Sequence, residues 1–109
     1  MTGILMSRAA SGLLRALLAR GEDNSDRILL RELRSKDWHS LTFGGERHTI
    51  GLRLTGSDAA SIAHLVTSGL ADAEFTIPGH IVADIQVVST VSARDGSISL
   101  TIEALTIAE

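Results

Sequence analysis

The chain contains no cysteine and no tyrosine, and its three aromatic residues are Trp38, Phe43 and Phe75. Without cysteine there are no disulfides, no thiol nucleophile and no thiolate-based zinc site, and the redox compartment is left open. With so few aromatics the core has to be built from Leu, Ile, Val and Ala. The same scarcity counts against stacking of single-stranded nucleic acid, which needs aromatic platforms. Lysine occurs once, at Lys36. No apolar run reaches the roughly 18 residues that mark a membrane span. Arg8 and Arg15 interrupt the apolar stretch near the N-terminus, which makes a secretory signal a poor fit. No membrane span is expected.

What is present is an ordinary folded domain. The 109 residues suffice for a single domain spanning 1–109, one that buries on the order of 65% of its unfolded surface. Hydrophobic residues make up 44% and charged residues 21%, far from a disordered profile. Charge is unevenly placed: the first 21 residues hold Arg8, Arg15 and Arg20 and no acid, whereas the rest is acidic enough to bring the net charge to −3. That balance argues against general binding to duplex DNA, whose affinity rests on neutralising phosphates. The Arg-rich, acid-poor N-terminus has the composition of an amphipathic helix and also that of an organelle transit peptide.

Residues 4–20, placed on a helix, gather Met6, Ala10, Leu13, Leu14 and Leu17 on one side and set Arg8 and Arg15 opposite. Gly21 stops this helix and residues 22–26 form a polar loop. Residues 27–33 read as a short strand. Residues 39–43 and 46–55 read as a hairpin, with Gly44-Gly45 supplying positive φ at the turn. In its second arm His48, Ile50, Leu52 and Leu54 alternate with Arg47, Thr49, Gly51 and Arg53, which gives one apolar and one wet face. Ser57 or Asp58 caps a second helix over 58–73, in which Gly69 sits at the centre of the apolar stripe and His64 points away.

Pro78 and Gly79 make a turn before a long strand over 80–92, whose apolar side collects Ile81, Ala83, Ile85, Val87 and Val91. The Arg94-Asp95-Gly96 turn leads to a partner strand over 97–107. Its apolar phase slips after Ala104, which a β-bulge or cover on both faces explains. The order helix, strand, hairpin, helix, hairpin predicts an α+β two-layer sandwich, a mainly antiparallel sheet with two helices packed on one face.

Reactive constellations are scarce. His39, His48, His64 and His80 form no HxxxH, HxH or HxxE pair, and Glu46 with His48 on one strand face needs ligands from elsewhere to hold a metal. There is no G-x-S-x-G and no phosphate-loop spacing followed by lysine. Neither a catalytic residue, a metal nor a cofactor is expected, and the chain reads as a non-enzyme. Strand 80–92 carries one charge, Asp84, which is thin protection for a free sheet edge, so pairing with another subunit is the expectation. The competing reading is a small oligomeric α+β ligand-binding protein or enzyme of unknown substrate, with an apolar cavity whose mouth carries His39, His48 or Glu46.

An N-terminal helix, then Trp38, the run Gly45-Glu46-Arg47-His48-Thr49-Ile50-Gly51-Leu52-Arg53-Leu54, an Ala- and Leu-bearing helix and a closing hairpin with an Asp95-Gly96 turn resemble the tail terminator, or tail completion, proteins of siphophages and bacterial gene transfer agents. In that family a Trp precedes a Gly-x-x-His strand, matched by Trp38, Gly45 and His48. The resemblance covers residues 38–107 and, more loosely, 4–20. Family members usually carry a longer segment before the Trp, often with a Pro-containing strand; here residues 21–37 are short and Pro-free.

The resemblance implies a subunit that assembles into a homo-oligomeric ring, usually a hexamer, on the end of a tail tube. Its partners would be tail tube or head-tail connector proteins, and it would act in the cytoplasm during assembly and then in a phage-like particle. It brings no catalytic residue. Arg8 and Arg15 become candidates for contact with an acidic neighbour, and Trp38 and Phe43 are either core anchors beside the hairpin or interface hot spots.

Overall fold

The computed structural model describes residues 6–109. Helix α1 runs Arg8–Arg20 and starts where it does because the Ser7 hydroxyl accepts from the Ala10 N–H at 3.1 Å, satisfying one of the free amides of the first turn. Ala9, Ala10, Leu13 and Leu17 are buried, and Arg8 and Arg15 face solvent as their spacing requires. Met6 precedes the helix and is exposed rather than on its core face. Residues 4 and 5 of the expected helix lie outside the described residues.

Gly21 ends α1, but its φ is −75°, so it is not the left-handed residue of the turn. Its smallness serves packing: a Cβ there would come within 2.7 Å of Ile28 Cδ1. The left-handed conformation falls instead on Glu22, at φ 58°, and residues Glu22–Arg27 continue as a 3-10 segment rather than an open loop. A non-glycine residue held there costs about 1–2 kcal/mol. Glu22→Gly is therefore expected to raise stability by up to about 1 kcal/mol, after allowing for the extra freedom glycine gives the unfolded chain. Urea denaturation checks this, and a lower midpoint would contradict it.

Four strands follow the order β1-β2-β4-β3, all antiparallel: β1 Ile28–His39, β2 Gly44–Leu54, β3 His80–Ser92 and β4 Ile98–Ala108. This is the expected α+β architecture, with α1 and the second helix, α2 Ala59–Thr67, on one face. The first hairpin differs from its expectation. The strand expected at 27–33 starts at Ile28 and runs on to His39 as one twelve-residue strand, β1, so of the arm expected at 39–43 only His39 is strand; residues 40–43 are the turn, closed by Ser40 N–H to the Phe43 carbonyl at 2.9 Å. Gly44 and Gly45 are the first residues of β2. A Cβ at Gly45 would lie 1.9 Å from the Thr106 carbonyl oxygen, so this glycine answers a close approach of β4 and not a turn.

Helix α2 is shorter than the pattern implies. It stops at Thr67, and Gly69, at φ 65°, turns the chain into a short 3-10 piece, Leu70–Asp72, instead of lying within the helix against the sheet. Asp58 occupies the cap position without capping; its carboxylate pairs with Arg27. Arg20 reaches across from α1 and donates to the Val66 carbonyl at 2.7 Å, which supplies a donor to the end of α2.

The expected single apolar face of β3 is broken by two register shifts, at Val82/Asp84 and Val87/Ser89. Val82, Ile85 and Val87 point to the helices, while Ile81 and Val91 share the opposite face and are 53% and 58% exposed. The irregularity anticipated on β4 thus sits on its partner. In β4 Ile98, Leu100, Ile102, Ala104 and Thr106 continue one buried face without a slip, and Leu105 and Ile107 stand half-buried on the other. At the β3–β4 turn Gly96 has φ 90°, and hydrogen bonds from the Ser97 hydroxyl and backbone N–H hold the Asp95 carboxyl below its usual range. The apolar cluster of the core is aliphatic, with Phe75 at its margin.

Candidate functional site

With both helices on one side, the sheet presents an open face and two edges, β1 and β3. The edges differ in chemistry. On β1, Arg31, Glu32, Arg34, Lys36 and Asp37 place charge along most of the strand; on β3 the charged residue is Asp84 alone, apart from the titratable His80 at its start. Charge is a usual device for keeping a sheet edge from pairing with another chain, and β3 has little of it. Ile81, Val88 and Val91 on this same strand are among the large apolar residues left exposed. The two bulges interrupt the edge but leave most of its pairing with β4 intact.

On the helix side, three strands are joined by a polar chain that runs from the exposed Ser35 to buried His48 and Thr106. The Ser35 hydroxyl lies 2.7 Å from His48 Nδ1, and His48 Nε2 lies 2.8 Å from Thr106 Oγ1. His48 and Thr106 are fully buried, and β1–β2–β4 register is what brings the three together. A neutral imidazole offers one N–H and one acceptor, and a hydroxyl supplies either role, so both tautomers are satisfied. A Ser–His contact is the first half of a nucleophile–base pair. Here the other ring nitrogen meets a hydroxyl, and among the described residues no carboxylate hydrogen-bonds the imidazole to support an imidazolium. The arrangement ties strands together.

Burial pushes the His48 pKa below its ordinary value, Glu46 opposes that shift and His80 adds to it. Below about pH 6.5 the unfolded chain therefore takes up a proton that the folded chain refuses. Stability falls as pH drops through that range until the folded imidazole itself titrates, by at most about 1.4 kcal/mol per pH unit from this proton. Comparing urea denaturation at pH 7 and pH 5 for the wild type and His48→Gln isolates the effect. An equal pH response in both would contradict it.

The candidate residues read from the sequence fall into two separate places. Arg8 and Arg15 line a groove of about 420 Å³ along α1, together with Met6, Ile77 and Pro78. Trp38 is half-buried opposite Gly45, and Phe43 is 58% exposed in the β1–β2 turn beside the fully exposed Leu41, so Phe43 is no core anchor. A second cleft of about 170 Å³ is lined by Arg34, Lys36, Arg47, His48, Thr49, Glu103 and Ala104. Its wall is strongly cationic, and it does not join His39 and Glu46 to His48 at an apolar mouth. Sequence reasoning missed Ser35 and Thr106 as partners of His48, and missed that Lys36 stands opposite Arg47 and Asp37 opposite Glu46 across β1 and β2, because neither is visible without the register.

Among the described residues no group of three or more His, Asp or Glu side chains is placed to hold a metal ion, and no helix is long and apolar enough to cross a membrane. Comparison with family models, with curated proteins and with solved structures gave no match.

Proposed function

We propose that this chain is a structural assembly subunit, a small α+β protein that associates with copies of itself in the manner of a phage-like tail terminator. The observation that carries the reading is the contrast between the sheet's two edges: β1 is blunted by charge, and β3 is long, nearly uncharged and leaves Ile81, Val88 and Val91 exposed. Main-chain groups on such an edge add a strand from a second copy, and exposed Ile81 and Val91 bury apolar area beside it. Pairing of the β3 edges of two copies joins like surfaces and closes a dimer, and a ring needs a further contact between unlike surfaces whose rotation closes. On this reading the ring caps a tail tube in the cytoplasm and passes into a phage-like particle, with tube or connector proteins as its other partners. Arg8 and Arg15, exposed together on α1, are suited to an acidic surface on one of them.

Sedimentation of the wild type and of Ile81→Lys/Val91→Lys tests the proposal. Both positions are more than half exposed, so the fold should tolerate lysine. The wild type should run as a multiple of the 11.5 kDa subunit and the double variant at a smaller mass. A double variant with the wild-type mass would remove β3 from the interface.

A further inference from the structure

The outer end of the β1–β2 hairpin carries opposed like charges on both of its faces. Lys36 is directly opposite Arg47, and one step along the ladder Asp37 is directly opposite Glu46. Side chains alternate across a strand, so the two cations share the open face and the two carboxylates share the helix side. Directly opposed residues hold their Cβ atoms about 4.5–5.5 Å apart, and like charges there repel. Among the described residues none of the four makes an ion pair. Residues Ser35, Lys36, Asp37 and His39 are exposed, so this stretch of β1 stands clear of the helices on both sides. Beyond it the turn presents exposed Leu41 and Phe43.

We infer that the hairpin end is an interface for a second copy of this chain, in which the Asp37/Glu46 face of one copy packs on the Lys36/Arg47 face of the next. The inference deepens the self-association proposed above by naming a second contact and its chemistry. Opposed cations and opposed carboxylates are separated by the same cross-strand spacing, so each pair is a template for the other. The cationic side also opens into the 170 Å³ cleft, where Arg34 adds positive charge and Thr49 a hydroxyl, and Glu103 contributes the one carboxylate of the lining. Arg34 is partly neutralised by Glu32 at 2.9 Å, which leaves Lys36 and Arg47 as the principal cations. Because the joined faces are unlike, the contact is head to tail, which makes a ring where the rotation between copies closes and a filament where it does not.

Charge exchange tests this directly. Lys36→Glu/Arg47→Glu makes both faces acidic and Asp37→Lys/Glu46→Lys makes both basic. Each keeps a like-charge pair across the strands, so repulsion within the hairpin is retained, and circular dichroism checks the fold. Each variant alone should sediment at a smaller mass than the wild type, no larger than the species the β3 edge sustains by itself, with at least a tenfold weaker formation of the full assembly. An equimolar mixture should regain the wild-type mass, and so should the fourfold exchange. Either charge variant associating like the wild type, or a mixture that stays dissociated, overturns the inference. If in addition Ile81→Lys/Val91→Lys dissociates, the β3 edge reading stands without it. A wild type that is monomeric at every concentration removes self-association itself.

Discussion

Gly45→Ala should destabilise the protein by about 3 kcal/mol or more, a large fraction of the 5–15 kcal/mol that a domain of this kind has in total. The added Cβ would sit 1.9 Å from the Thr106 carbonyl oxygen and 3.0 Å from its carbon. Both belong to the backbone of β4, the strand that pairs with β2 along its whole length, so no side-chain rotation relieves the clash. Overpacking a core costs about 1–3 kcal/mol when side chains and backbone can shift. Here the shift has to separate the central strands β2 and β4 at the point where Thr106 also holds His48. Gly44→Ala is the control. Its Cβ would meet the His39 ring at 3.6 Å, an ordinary contact, and it should lie within about 0.5 kcal/mol of the wild type. Equal urea midpoints for the two variants would mean that β4 does not approach Gly45 so closely.

His48→Ala should cost about 2–4 kcal/mol. The imidazole is fully buried, so its loss leaves a cavity, and it strands the Thr106 hydroxyl, which is also fully buried, without a partner. Ser35 is exposed and its hydroxyl can turn to water, so Ser35→Ala should cost less than about 1 kcal/mol. Removing both buried partners with apolar groups of similar size, His48→Leu/Thr106→Val, should be milder than His48→Ala, because no polar group is then stranded. A double-mutant cycle by urea denaturation measures the coupling. Additive single effects would show that the His48–Thr106 contact contributes nothing of its own.

Those two residues also show how far the sequence can be read. The alternation from His48 to Leu54 put His48 on the buried face of its strand, and that is where it lies. Its partners are 13 and 58 residues away, and only the register of three strands brings them within hydrogen-bond reach. Strand β1 was legible at its apolar start but not through Arg34–His39. An edge strand wet on both faces has no reason to alternate, and its ladder to β2 is what keeps it extended.

Strand β3 was placed correctly in the chain, but its face was not, because each bulge exchanges inside for outside and no residue in Val82–Ser89 announces one. Gly45 and Gly69 were each recognised as special for the wrong reason. One answers a carbonyl from β4 and the other a left-handed turn at the end of α2. The sparse charge of β3 was visible from the start, and the strand order makes it an edge.

That edge is the centre of the functional account, and amide hydrogen exchange addresses it most directly. With β4 on one side, the β3 amides between Ile81 and Val91 that point away from β4 have no strand partner among the described residues. If a second copy adds a strand there, these amides should exchange at least tenfold more slowly in concentrated than in dilute protein, while the unpaired outer amides of β1 stay unchanged. Outward β3 amides that exchange rapidly at every concentration would contradict the account.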